Sequence, residues 1–291
     1  MSMTLGIVMP TYQGADYLTR SIGSVLAQTD PRWTLLISDD GSLDGSLEIA
    51  QRYAAKDPRI TARRSPHPAS IFSNLNPAIA DIDATHVTIL MQDDELSPDY
   101  VATAYHLLTE HPDVQALWFG QHTINDADEV IATGSERERF ERIDPSPAAV
   151  LSALRRGCIW TISGSCTSRT LLMQRPFDPS LRHAADYAWL LDQLENQVMA
   201  YSERAVTRIR MHNRQASSRH IEACIDLLDY FRIAKQTLAR SNLGFSQSEK
   251  SEIVRRYRRL ALKRALGAIR RGKPKLAASA LRLWFSMKES W

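Results

Sequence analysis

Adjacent carboxylates are the first chemically unusual feature of this 291-residue sequence. They occur as Asp39-Asp40, within Asp39-Asp40-Gly41-Ser42, and as Asp93-Asp94, within Gln92-Asp93-Asp94-Glu95. Two neighbouring acids repel unless a cation or a ligand donor relieves them. A hard divalent ion is one solution, because Mg2+ is typically held by one or two protein carboxylates with phosphate oxygens completing its shell. That pattern suits a nucleoside diphosphate bridged by a metal. A third polar segment, Pro10-Thr11-Tyr12-Gln13-Gly14, supplies a hydroxyl and an aromatic ring but no Lys or Arg. No GxxxxGK[ST] follows any predicted strand and no GxGxxG follows the first, so P-loop and dinucleotide-binding chemistry fit poorly. Each segment alone reads more readily as a turn or helix cap; their common position at strand ends makes them a candidate site.

The surrounding elements give that position. Apolar runs at 5–9, 33–38, 60–63 and 87–91 predict strands, the first halted by Pro10. Apolar residues at helical spacing predict helices over 15–28, 47–55 and 71–80. Residues 1–91 therefore alternate strand and helix, which implies a parallel sheet with helices on both faces. In such a sheet, ligands bind at the carboxyl ends of the strands, and all three polar segments fall there. Beyond residue 91 a helix is predicted over 99–110, a strand over 114–120, helices over 148–155 and 186–195, and a strand over 205–211. The polar stretch 124–143 reads as an excursion or mobile loop. From residue 221 the chain reads as successive helices, broken near Asn242-Leu243-Gly244 and Gly272-Lys273-Pro274.

In order and spacing, Pro10-Thr11-Tyr12, Ser24-Val25-Leu26-Ala27-Gln28, Ser38-Asp39-Asp40-Gly41-Ser42-Leu43-Asp44-Gly45-Ser46 and Met91-Gln92-Asp93-Asp94 resemble family 2 glycosyltransferases of the GT-A fold. The resemblance covers residues 4–100 and continues more weakly to about residue 220, through Asp186 and Arg210-Met211-His212. It implies an α/β, Rossmann-like GT-A domain over 1–220, with a mixed, mainly parallel sheet flanked by helices. A basic α-helical C-terminal extension over 221–291 follows. It further implies transfer of a sugar from a nucleoside-diphosphate donor to a hydroxyl acceptor, with inversion, the acceptor being a surface glycan or lipid-linked saccharide. Residue by residue, Pro10, Thr11 and Tyr12 line the nucleotide pocket, and Asp39 accepts from a ring N–H of uracil or thymine, which favours UDP- or dTDP-sugars. Asp93 approaches the ribose, while Asp94 and His212 serve Mg2+ or Mn2+. Asp186 is the base that deprotonates the acceptor, and Trp160, Ser163, Gly164 and Ser165 line the donor-sugar and acceptor pocket. Asp186 reads alternatively as a helix N-cap, Trp160 as a core residue, and His212 as a structural or exposed histidine or, when protonated, as a group that stabilises the departing phosphate.

Three positions depart from the family pattern: Gln13 where Asn is common, Leu43 where Thr is common, and Met91 where an additional Asp is frequent. Met91 leaves the carboxylates of that segment to Asp93 and Asp94, and it supports the rival reading of a non-catalytic nucleotide-sugar-binding or scaffold protein. A nucleotidyltransferase is the other rival; it requires a basic, Gly-rich phosphate loop that residues 10–14 do not offer.

The net charge of +3 conceals an asymmetry. Residues 1–220 carry 20 Lys and Arg against 27 Asp and Glu, whereas residues 221–291 carry 16 against 6. Residues 250–275 hold 11 basic residues and one acid, Glu252, interleaved with apolar positions at helical spacing. That composition fits either an interfacial helix on an anionic membrane or a hairpin packed on the main domain with a solvated basic face. No nucleic-acid-binding module is present, so no nucleic-acid partner is expected. No apolar run reaches the ~18–20 residues of a membrane span, and the first residues lack the basic and apolar regions of a secretory signal. Cys158, Cys166 and Cys224 have no metal-ligand spacing and fit a reducing compartment. A cytoplasmic location is expected, at the inner face of the membrane if the tail binds lipid.

Overall fold

The structure, a computed structural model, describes residues 3–66, 70–181, 183–212, 214–215, 220–221 and 223–287. It divides into two compact units that interleave along the chain. The first comprises Met1–Asp144, Trp160–Pro179 and Gln197–His212; the second comprises Pro145–Ile159, Ser180–Asn196 and Asn213–Trp291.

The first unit is built on a ten-stranded mixed sheet. It opens with β1 (Leu5–Thr11), α1 (Ala15–Leu26), β2 (Trp33–Asp39), α2 (Ser46–Ala54), β3 (Ile60–Arg64), α3 (Ile71–Asp81) and β4 (His86–Ile89). β5 (Glu95–Leu96), α4 (Tyr100–Glu110), β6 (Ala116–Ile124), β7 (Val130–Ala132) and β8 (Phe140–Ile143) follow. Strands run in the order β3-β2-β1-β4-β9-β6-β10-β5, where β9 is Ser165–Ser168 and β10 is Met199–Arg210. β3, β2, β1 and β4 are parallel; β9 runs antiparallel between β4 and β6. Every residue of β1 is buried, which is why its sequence is continuously apolar rather than alternating. Ile7, Met9, Leu18, Ile22, Val25, Leu35 and Ile37 share one core, with the α1 residues spaced to bury one helical face. The chain runs from β1 to β2 to β3 on one side and returns to β4 on the other, so the carboxyl ends of β1, β2 and β4 flank a switch point, the place where ligands bind in sheets of this kind.

β1 continues through Pro10 to Thr11 rather than stopping before it. β4 pairs with β1 only as far as Val8–Ile89, so the N–H that Pro10 lacks is not missed by the ladder on that side. The polar stretch 124–143 is not a free excursion: β7 pairs antiparallel with β6, and β8 with β10. A tight turn starts this segment, in which Asn125 Oδ1 accepts from the Ala127 and Glu129 N–H groups (2.9 and 3.0 Å). β10 begins at Met199, earlier than the apolar pattern indicates, because register shifts between Ser202 and Thr207 break its alternation.

Gly164 joins β4 to the turn before β9. Its N–H donates to Ile89 O (2.7 Å) and its carbonyl accepts from Tyr100 Oη (2.9 Å). Its φ is +77°, and an added Cβ would lie 2.2 Å from Thr207 Cγ2. Gly164→Ala is therefore expected to destabilise the fold by about 1–3 kcal/mol, measurable as a lowered denaturation midpoint at unchanged slope; an unchanged midpoint would contradict the strain argument.

Outside the sheet, the first unit also carries α6 (Arg169–Gln174), which follows α5 (Pro147–Arg156) in the chain. The second unit is helical, built from α5, α7 (Ala185–Asn196), α8 (Ile225–Leu238), α9 (Gln247–Arg270) and α10 (Pro274–Ser286). α9 starts with a reciprocal capping box: Ser246 Oγ accepts from Glu249 N–H (3.3 Å) and Glu249 Oε2 accepts from Ser246 N–H (2.8 Å). The small residues Ala265 and Ala268 of α9 pack against Leu276, Ala277 and Ala280 of α10. Tyr187 on α7 lies against Tyr230 on α8 (ring centroids 4.9 Å) and reaches Tyr257 Oη on α9 (3.3 Å). Arg155 on α5 forms a two-bond ion pair with Glu252 on α9 (2.9 and 2.7 Å).

Candidate nucleotide and metal site

Register alone brings three strand ends together: Thr11 lies opposite Asp39, and Asp39 opposite Arg64. Asp39 is fully buried. Its Oδ1 accepts from the Gly41 and Ser42 N–H groups (3.2 and 3.0 Å) and lies 3.5 Å from the Arg64 guanidinium. Among the described residues its Oδ2 has no hydrogen-bond partner. A buried carboxylate oxygen without a donor is costly, so this atom is poised to accept from an incoming N–H. Arg64 is a member of this cluster that the sequence pattern does not single out.

Tyr12 presents an exposed ring from the end of β1, while Gln92 fixes its backbone. Gln92 Oε1 accepts from Tyr12 N–H (2.8 Å) and Gln92 Nε2 donates to Tyr12 O (2.9 Å). This double bond to the main chain requires Gly14 beside it, where a Cβ would stand 2.1 Å from Gln92 Oε1. Gln13 adopts φ +50°, a left-handed conformation that Asn enters more readily, which rationalises Asn at this place in the family pattern. The loop after β2 secures the start of α1. Ser42 Oγ, Ser46 Oγ and Asp44 Oδ2 accept from the N–H groups of Gln13, Gly14 and Ala15 (2.9, 2.9 and 3.0 Å). Burial pushes the Asp44 carboxyl up, but the bonds it accepts from the Ser46 hydroxyl and from the Ala15 and Ser46 N–H groups outweigh this and hold it below its ordinary range. Asp44 thus positions the loop. Pro10 and Thr11 are buried at the end of β1.

The second pair of acids follows β4. Asp93 Oδ2 is 2.9 Å from His212 Nε2, and the His212 ring lies 4.6 Å from that of Tyr17. Asp94 is buried; its Oδ1 accepts from Arg210 N–H (2.8 Å), and the Ser163 hydroxyl also bonds it. Burial, and then repulsion from Asp93, push the Asp94 carboxyl well above the ordinary carboxylate range. Glu95 does not join this pair: it accepts from Arg210 (2.6 Å) and Arg208 (2.9 Å). The Arg210 side chain, fully buried, also donates to Asp93 O and Asn125 O (2.8 and 2.7 Å) and pairs with Asp128. Its guanidinium is thus the hub that fixes the turn carrying Asp93 and Asp94.

The crowded acids fit a divalent cation. Asp94 receives hydrogen bonds from neutral groups, and its negative charge is opposed by burial and by a like charge next door, a tension that a cation relieves. Among the described residues no set of three or more His, Cys, Asp and Glu side chains forms a metal shell, so the remaining ligands would be non-protein oxygens, as with phosphate-bound Mg2+.

Ser163, Gly164 and Ser165 are buried, and their polar groups serve the protein: Ser163 Oγ accepts from Met91 N–H (3.1 Å) and Ser165 Oγ donates to Ile162 O (2.8 Å). Trp160 is buried and stacks near Phe177 (centroids 6.1 Å apart, 15° between planes). Asp186 belongs to the helical unit. It lies in the first turn of α7, where its Oδ1 accepts from Tyr187 N–H (2.8 Å), and burial raises its carboxyl to about 6.

Comparison with known proteins places this arrangement. The sequence profile of glycosyl transferase family 2 matches residues 6–157. Chondroitin synthase of Pasteurella multocida (strain Pm70) is 23% identical over 256 residues, 87% of this chain and 25% of that protein. Hyaluronan synthase of Pasteurella multocida is 23% identical over 83% of this chain and 24% of its own. The chain thus spans about a quarter of the length of these two relatives. An uncharacterised glycosyltransferase of Haemophilus influenzae is 25% identical over 83% of this chain and 93% of its own length. The crystal structure of Staphylococcus aureus TarS 1–349 superposes with a TM-score of 0.60 at 15% identity, covering 98% of this chain and 92% of that one; its complex with UDP-GlcNAc gives 0.59 at 15% over the same shares. The fold is accordingly the GT-A arrangement, a central mixed sheet flanked by helices and followed by C-terminal helices. With a profile match over more than half of its length and the paired acids at its strand ends, the chain belongs to glycosyl transferase family 2.

Proposed function

We propose that the chain transfers a sugar from a UDP-sugar, or a dTDP-sugar, to a hydroxyl of a growing saccharide, with inversion at the anomeric carbon. The observation that carries the donor assignment is Asp39 Oδ2, buried at the end of β2 and without a donor among the described residues. Uracil and thymine present a ring N–H that complements it, and the exposed Tyr12 ring offers a stacking surface for the base. TarS, of similar fold, has been crystallised with UDP-GlcNAc, which supports the reading. The names of the two Pasteurella relatives, chondroitin synthase and hyaluronan synthase, support a saccharide chain as acceptor; we take that chain to be a surface glycan or a lipid-linked saccharide.

Asp94, with Asp93 and with His212 behind it, would hold Mg2+ or Mn2+; when bound, such an ion stabilises negative charge on diphosphate oxygens. Asp93 is steadied by His212 and is the group assigned to the ribose. Ser163 and Gly164 shape the floor of the sugar subsite by fixing Asp94 and the end of β4, with Ser165 and Trp160 behind them. Asp186 takes the proton of the acceptor hydroxyl as that oxygen bonds to the anomeric carbon. The carbon–oxygen bond to the diphosphate breaks in the same displacement, on the opposite face of the sugar.

Asp39→Asn keeps Oδ1 and places an NH2 where the base N–H must be received. UDP affinity, read by calorimetry, is expected to fall about 10- to 100-fold, the magnitude of one hydrogen bond to a charged group, with the melting temperature nearly unchanged. Equal UDP affinity in the two proteins would refute the assignment.

A further inference from the structure

Helix α9 has two unlike faces. Ile253, Val254, Tyr257, Ala261, Ala265 and Ala268 are buried within the helical unit. On the other side Arg255, Arg259, Leu262, Lys263, Leu266, Ile269 and Arg270 are all exposed. At 100° per residue these seven fall within an arc of about 120°. The apolar members are well exposed: Leu262 is 37%, Leu266 51% and Ile269 58% accessible. Among the described residues Arg259, Lys263 and Arg270 have no acidic partner. The same face opens into a groove of about 820 Å³ lined by Arg256, Arg259, Lys263, Arg264, Arg270 and Arg271. The one acid in its lining, Asp226, is held by both terminal nitrogens of Arg264 (2.5 and 2.7 Å), so the groove remains strongly cationic.

This face combines two demands. Its Leu and Ile side chains favour leaving water, and its unpaired cations favour phosphate. A soluble polyanion answers only the second demand and an apolar partner only the first. A bilayer with anionic headgroups answers both: apolar side chains enter the boundary between headgroups and acyl chains, while Arg and Lys lie among the phosphates. The helix is about 36 Å long, and no helix of the described residues is long and apolar enough to cross a membrane, so the contact is one of lying on the surface. We propose that this face of α9 docks the protein onto an anionic lipid surface, with the cationic groove receiving a lipid phosphate.

The test is flotation of the full chain with vesicles of phosphatidylcholine, with and without phosphatidylglycerol. The chain is expected to float with the anionic vesicles at low salt, not with the neutral ones, and to detach as salt rises. The triple variant Arg259→Gln, Lys263→Gln, Arg270→Gln is expected to partition on the order of 100-fold more weakly. The variant Leu262→Ser, Leu266→Ser, Ile269→Ser keeps every charge and is expected to lose on the order of 10-fold or more. Both variants alter exposed positions, and should melt with the wild type and bind UDP equally, which separates this proposal from the donor assignment. No flotation of the full chain at low salt would overturn it. So would undiminished partitioning of the serine variant, which would show that the apolar side chains stay out of the bilayer and that charge alone holds the protein there. A dimer abolished by either variant, with no vesicle binding, would assign the face to a second copy of the chain.

Discussion

Asp186→Asn is expected to lower turnover by about 10²–10⁴-fold, the usual magnitude of general-base catalysis, while leaving UDP affinity and melting temperature close to those of the wild type. The amide oxygen can still accept the Tyr187 N–H bond that Oδ1 accepts at 2.8 Å, and Asn serves at a helix start about as well as Asp. What the substitution removes is the capacity to take a proton. The wild-type carboxyl also predicts a pH dependence. Burial raises it to about 6 against the pull of the helix N-terminus, so it is ionised, and competent as a base, only above that value. kcat/KM should therefore fall by about tenfold per pH unit below pH 6, and the variant should lose this limb. Near-wild-type turnover of Asp186→Asn would return the residue to a structural role at the head of α7.

Asp94→Asn is expected to reduce transfer by at least ~10³-fold, as several kcal/mol of charge stabilisation by a divalent ion would be lost. EDTA is expected to do the same to the wild type. Stability should move in the opposite direction. The Asp94 carboxyl lies well above its ordinary range because burial and Asp93 disfavour its charge, so the folded protein holds this proton more tightly than the unfolded chain. Its contribution is favourable at low pH and is lost as the pH rises through the folded value. Without metal, the neutral Asn variant should thus melt at the same temperature or higher at neutral pH. Full transfer in excess EDTA, or a large drop in melting temperature for Asp94→Asn, would count against Asp94 as the metal carboxylate.

The sequence reveals some parts of this site and hides others for definable reasons. Thr11, Asp39 and Asp93 were readable as strand-end groups because a buried parallel strand is a continuous apolar run with an abrupt polar end. Arg64 was not, since an Arg after a short strand looks like any solvated cation until the β2–β3 register sets it opposite Asp39. Gln92 and Gly14 are 78 positions apart, and only the adjacency of β1 and β4 makes one the neighbour of the other. Arg210 was visible as part of an Arg-x-His segment, but its burial among Glu95, Asp128 and backbone carbonyls is a product of tertiary packing. The strands within 124–143 leave no periodic signal: β7 is three exposed apolar residues, too short to show alternation, and β8 places Glu141 and Arg142 side by side between Phe140 and Ile143.

The interleaving of the two units also has a kinetic side. α5 and α7 are made early, and the helices that cover them come from the last stretch of the chain. α7 ends at Asn196, whereas α9 is complete only at Arg270. At ribosomal rates of about 5–20 residues per second, the apolar faces of α5 and α7 wait several seconds for their partners. During that interval Leu151, Leu154, Leu190 and Leu191, all buried in the finished protein, are available to chaperones or to other nascent chains. A polypeptide ending near residue 220 would never leave that state. Its yield in cells should therefore depend on chaperone supply far more than that of the full chain, and pulse-labelled degradation rates of the two would measure the difference.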